Sequence, residues 1–303
     1  MINGLKFLPA FVSVLWLVGC STSASREYWE LAEDKGGAIG KRSPILLHTI
    51  ALVDPDPSVG QFCTGVVIDK RHVLTAAHCF DNQERIPFAF MEGNYQTGVD
   101  FKERGTLLRI EVVAVHALYQ KSKSDIFARL TASVSDPKRM PTPGSPLHDI
   151  AVAVLEKDVI TPYQPVLLTL GQEDFKNGRV LAAGYGCKSP LCDDSESELR
   201  KTDMKFVKKM LEANLIVFSG GKGRGTCSGD SGGPIYLKGA NATNLLAIAT
   251  TSLDKCEAGI AVDTLVSPYK AWIEKGIQVL SKPMIQVDAY RVIDYTQNIE
   301  SDE

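Results

Sequence analysis

The sequence predicts an all-β protein, either a barrel or a sandwich. Short apolar runs alternate with turn residues from about Ile45 onwards, the pattern that many short strands produce. Only one segment, near the C-terminus, carries apolar residues at helical spacing over several turns. The chain has 303 residues, and all-β units of this kind run to roughly 200–250 residues as one domain.

The first twenty residues stand apart. Residues 1–6 hold one lysine, residues 7–18 are apolar except for Ser13, and the stretch ends in Leu17-Val18-Gly19-Cys20. A positive start, a short apolar core and small residues at its end describe a secretory signal, too short for a membrane span. The last four residues resemble a bacterial lipobox, in which Cys20 is lipidated and becomes the first mature residue. Ser21 after it leans towards the outer membrane, and acyl chains on Cys20 would anchor the protein there. The expectation is an exported, outer-membrane-anchored lipoprotein, periplasmic or surface-facing. Residues 21–37 are small, polar and charged, and read as a tether or propeptide.

Strands are expected at 45–53, 64–68, 107–115, 150–155, 165–170, 179–183, 205–209, 215–218, 234–237 and 245–251. Residues 120–148 contain Pro137, Pro141, Pro143 and Pro146 and read as a long surface loop. Residues 188–198 hold Asp193, Asp194, Glu196 and Glu198, an acidic solvated loop. Near the end, Ser267 can cap a helix and Pro268 suits its first turn. Tyr269, Trp272, Ile273, Ile277 and Leu280 then share one face, as core packing requires. Residues 281–303 read as a tail, in which 285–293 could add a strand.

Composition excludes some classes. A hydrophobic content of 44% and a charged content of 23% are those of a folded globular protein, and a net charge of −3 lacks the basic surface of a nucleic-acid binder. The seven cysteines are an odd set. Giving Cys20 to lipid leaves Cys63, Cys79, Cys187, Cys192, Cys227 and Cys256, an even set that an exported chain uses for disulfides. No CxxC pair or Cys/His spacing supports zinc, and no metal or cofactor is expected.

Three segments carry chemistry: Val73-Leu74-Thr75-Ala76-Ala77-His78-Cys79, then His148-Asp149-Ile150-Ala151-Val152-Ala153-Val154-Leu155, then Thr226-Cys227-Ser228-Gly229-Asp230-Ser231-Gly232-Gly233-Pro234. A serine hydroxyl needs a neighbouring base to act as a nucleophile at neutral pH, and a histidine oriented by a buried carboxylate supplies one. In order and wording the segments resemble the His, Asp and Ser motifs of the trypsin/chymotrypsin-like serine proteases. The resemblance covers residues 38–280, the expected peptidase domain. It implies two six-stranded antiparallel barrels with a C-terminal helix, and a monomeric endopeptidase acting on proteins or peptides. His78, Asp149 and Ser231 would be the catalytic triad, and the amides of Gly229 and Ser231 the oxyanion hole. Phe62-Cys63-Thr64-Gly65, Val115-His116-Ala117-Leu118-Tyr119 and Gly184-Tyr185-Gly186 resemble further family segments. The implied disulfides are Cys63–Cys79 and Cys227–Cys256, with Cys187–Cys192 left as a local pair.

Two features depart from the family pattern. The pocket for the side chain preceding the cut bond would have Gly225 at its base and Ser252 and Gly259 on its walls. A base without charge implies poor cleavage after Arg or Lys. Family members also mature by a cut whose new ammonium pairs with the acid before the serine, here Asp230. The donor segment Gly36-Gly37-Ala38-Ile39-Gly40-Lys41 is a poor match to the family's, and a cut there would both activate the protein and release it from Cys20. An inactive homologue serving as a binding module is the rival reading, as is a purely structural envelope lipoprotein. The sequon Asn241-Ala242-Thr243 is discounted in a bacterial cell.

Overall fold

The computed structural model describes residues 48–56, 58–82, 85–91, 95–96, 106–119, 138, 147–159, 167–168, 178–187, 192, 196–197, 199–237, 244–256, 258–281 and 291–295. Cys20, the tether, the segment 36–41, the sequon, most of the loop 120–148 and most of 188–198 lie outside the described residues.

Strands β1 (Thr49–Val53), β2 (Gln61–Asp69), β3 (His72–Thr75), β4 (Phe88–Met91), β6 (Thr106–His116) and β7 (Ala151–Leu155) form the first barrel. They pair antiparallel in the ring β1-β2-β3-β7-β6-β4, and β4 closes it against β1. The second barrel comprises β9 (Arg179–Gly184), β11 (Arg200–Met210), β12 (Leu215–Ser219), β13 (Pro234–Leu237), β14 (Asn244–Ser252) and β15 (Ile260–Leu265). Its ring is β9-β11-β12-β15-β14-β13, closed by β13 on β9. Short strands decorate the barrels. β5 (Tyr95–Gln96) pairs with β10 (Glu196–Ser197), β8 (Leu167–Leu168) runs parallel to β14, and β16 (Arg291–Tyr295) runs parallel to β6.

The continuous apolar runs follow from burial on both strand faces. In β7, Ala151, Ala153 and Leu155 point into the first barrel with Ile50, Leu52 and Val73. Val152 and Val154 point outwards, into a second cluster that joins Leu181, Tyr185, Tyr236 and Ile248 of the other barrel to Tyr269, Ile273 and Leu280. Alternation is therefore invisible, because both sets are apolar. That shared cluster holds the barrels together behind the cleft.

Helix α1 (Lys270–Leu280) packs its expected face on this cluster, with Ile273 and Leu280 buried and Trp272 and Ile277 against them. Its start differs from expectation. Ser267 does not cap it: a 3-10 turn, Ser267–Tyr269, precedes the helix with Pro268 inside it, and no side chain caps either element.

Candidate active site

β3 ends at Thr75, and the 3-10 turn Ala77–Phe80 that follows carries His78. Cys79 in that turn is joined to Cys63 of β2, so the turn is tied to the neighbouring strand. β7 pairs with β3, Thr75 opposite Ala151, which brings Asp149 beside the same turn. Just before it, His148 has a φ of 53° and its carbonyl accepts from the Ile150 amide at 2.8 Å. Asp149 is 4% exposed. Its Oδ1 accepts the His78 backbone N–H at 2.9 Å, and its Oδ2 lies 2.7 Å from His78 Nδ1. Two bonds from one carboxylate fix the ring and leave Nε2 facing away from Asp149. Burial disfavours the charged imidazole, but the charge and hydrogen bond of Asp149, aided by Asp81, outweigh it. The His78 pKa is raised above its ordinary 6.5.

Ser231 lies on a turn between Cys227 and β13. The turn needs positive φ at Gly229 (90°) and Gly232 (80°), conformations that glycine adopts freely. Its inner side is pinned to β2. Gly229 O accepts from Gln61 Nε2 and Thr64 Oγ1, both at 2.8 Å, and Ser231 O accepts from the Thr64 amide at 2.8 Å. The Asp230, Gly232 and Gly233 amides donate to Cys227 O, Ala249 O and Asp230 O. Among the described residues, the Gly229 and Ser231 amides have no protein acceptor, so both remain free to receive an oxyanion.

His78 and Ser231 line one cleft of about 180 Å3, together with residues 226–228 and 249–252. Of the three expected pocket residues, only Ser252 is among its walls. Gly225 and Gly259 lie against each other, an ideal Cβ on Gly225 falling 3.2 Å from Gly259 Cα. The β14–β15 register places Ala261 opposite Ser252, a bulge between Ala249 and Thr251 having shifted the pairing by one residue. Behind the cleft wall, Asp263 is opposite Ala249 and fully buried, and neither of its carboxylate oxygens has a hydrogen-bond partner. Burial pushes its pKa well above the usual carboxylate range.

Cys187 is joined to Cys192 and Cys227 to Cys256, the second bridge tying the serine turn to the segment after β14. Donor atoms of Cys63, His78 and Cys79 lie within 4.8 Å of one another, but the disulfide consumes both sulfurs and with them any metal-binding capacity. Beside the Asp149 turn, His116 and His148 stack at 4.5 Å, and Tyr269 meets both edge-on. Gln61 and Thr64, which brace the serine turn, are not among the residues that the sequence motifs single out for a role. Thr64 sat within a recognised segment, whereas Gln61 left no signal.

The trypsin family model matches residues 48–273. Kallikrein 1-related peptidase b27 of Mus musculus is 29% identical over 190 residues, covering 58% of this chain and 66% of that protein, just under two thirds of its length. Trypsin eta of Drosophila melanogaster is 25% identical over 285 residues, covering 89% and 97% of the two chains. Among solved structures, mouse neuropsin, a serine protease expressed in the limbic system of the brain, superposes with a TM-score of 0.58 at 19% identity, covering 77% of this chain and 95% of that one.

Proposed function

This chain belongs to the trypsin family, and on that premise we propose that it is an exported serine endopeptidase with His78, Asp149 and Ser231 as its triad. One observation carries the reading: an imidazole held by a buried carboxylate opens onto the cleft that also holds a serine flanked by free amides. The Ser231 hydroxyl attacks the scissile carbonyl carbon while His78 Nε2 takes its proton. The carbonyl oxygen gains the charge and settles against the Gly229 and Ser231 amides. Collapse breaks the C–N bond, His78 gives its proton to the leaving amine, and an acyl group remains on Ser231. Water then enters by the same route in reverse, losing its proton to His78, and the freed acid leaves Ser231 restored. Asp149 stays ionised throughout and stabilises the imidazolium.

The cleft walls, residues 226–228 and 249–252, contribute no charged side chain, which supports a preference for uncharged side chains over Arg or Lys. The lipid anchor at Cys20 rests on the sequence motif, and the relatives described above are animal proteins. Intact mass of the mature protein, read for diacylglycerol on Cys20, tests it.

A fluorophosphonate that reacts only with activated serines tests the function. Stoichiometric labelling of the wild type, abolished in Ser231→Ala, is the expected result. Absence of labelling in every processed form would leave a binding module in place of an enzyme. A peptide panel in which Arg at the cut site outperforms Leu, Phe and Ala would overturn the pocket assignment.

A further inference from the structure

Asp230 is 1% exposed and lies under the serine turn. Its Oδ1 accepts from the Gly186 amide at 2.7 Å and its Oδ2 from the Cys227 amide at 2.8 Å. An added Cβ on Gly184 or Gly186 would run into the carboxylate, so the two glycines of Gly184-Tyr185-Gly186 let it lie flat against their backbone. Arg200 heads β11 directly opposite Gly184 and is 2% exposed. Its NH1 donates to the Gly186 carbonyl at 2.6 Å. Gly186 is thus gripped on its N–H by the buried anion and on its C=O by a buried cation. Burying a guanidinium is costly unless an anion and acceptors compensate it, and Arg keeps its charge at any pH of interest.

We propose that Arg200 is a positioning residue supplying, from within the chain, the positive charge that holds Asp230, so that the oxyanion loop is assembled before any cut frees an N-terminus. The proposal rests on Ser231 being the nucleophile. Burial pushes the Asp230 pKa up to about 7, while the Cys227 and Gly186 amides and the Arg200 charge oppose it. Among the described residues, Arg200 is the charged side chain whose field acts on this carboxylate. The ionised form is the one that accepts from both amides. Protonation turns one oxygen into a donor, and the loop loses an anchor. Removing the Arg200 charge therefore raises the Asp230 pKa further and moves the acid limb of activity to higher pH.

The test compares the full uncut chain with a chain cut within residues 36–41, both treated with fluorophosphonate and read by intact mass, which reports the adduct and the terminus together. We expect the uncut wild type to label at a rate close to the cut form. Uncut Arg200→Gln should label about 10²-fold more slowly, the size of losing one oxyanion donor, with its acid limb shifted upwards. Arg200→Lys should restore most of the rate and return the limb. Labelling of the cut wild type alone would show that the terminal ammonium is required and overturn the proposal. Wild-type rates in uncut, folded Arg200→Gln would do the same. If that variant fails to fold by thermal melt, the cut-against-uncut comparison of the wild type decides. No labelling in any form removes the peptidase reading itself, and the proposal with it.

Discussion

Asp149→Asn keeps the size of the side chain and removes its charge, and its consequence can be worked from two distances. Oδ1 accepts a backbone N–H at 2.9 Å, so an asparagine must keep its carbonyl oxygen there and turn its NH2 towards the ring. At the 2.7 Å ring contact, that NH2 donates to Nδ1 and forces the proton onto Nε2. The nitrogen that should take the Ser231 proton then already carries one. Triads of this type lose about 10⁴ in kcat from such a tautomer error, about 5.4 kcal/mol of transition-state stabilisation. The pH profile supplies a second readout. The Asp149 charge is what lifts His78 above 6.5 against the pull of burial, so the midpoint of the acid limb should fall below 6.5 in the variant. Stopped-flow acylation of a peptide ester across pH measures both. Retention of activity within about tenfold of the wild type would refute the reasoning, since a misplaced proton alone costs far more.

Other perturbations have outcomes set by the same structure. The Asp263 pKa is raised above its unfolded value, so its contribution to stability is complete below pH 3.8 and is lost as pH rises. The loss approaches about 1.4 kcal/mol per pH unit. Urea unfolding of Asp263→Asn should lack that slope and exceed the wild type at pH 8; parallel curves would contradict the assignment. His116 behaves in the opposite sense. Burial, then the neighbouring His148 charge, holds its pKa down at about 4, so stability is intact above 6.5 and is lost as pH falls towards 4. Allowing for partial exposure, the loss is about 1–2 kcal/mol, and His116→Phe should abolish it in acid melts. Gly232→Ala places a Cβ at positive φ against Thr75 Oγ1 and the Thr64 carbonyl. It should cost at least about 2 kcal/mol and slow serine labelling in parallel.

The parts of the molecule legible in the sequence were those where chemistry or burial restricts the residue types. The serine turn demands glycine at 229 and 232, and the run 150–155 is apolar because both faces of β7 are buried. Short strands were harder to read. β4, the four residues Phe88–Met91, is bounded by Pro87 and Gly93-Asn94 but is wholly apolar and too short to show a strand's alternation. β11 extends from Arg200 to Met210, whereas the expected strand is 205–209, because Arg200-Lys201-Thr202-Asp203 is a charged and polar run without the apolar residues that mark a strand. The cross-strand partner of Ser252 depends on a bulge between Ala249 and Thr251, and sequence offsets carry no mark of an extra residue in one strand. Arg200 is the clearest case. Nothing near it distinguishes a buried cation from a surface one, and its role emerges only where β11 crosses Gly184 and Gly186.

The closing strand β16 has a bearing on handling the protein in solution. β4 accompanies β6 only as far as Arg109, and β16 takes up the pairing from Val112 to His116. Shortening the chain at Leu280 would bare one edge of that stretch, the other staying paired with β7, without touching the triad. Bare strand backbone recruits strands from other molecules. The shortened protein should therefore turn over substrate normally when dilute and self-associate as it is concentrated, which light scattering across a dilution series would register.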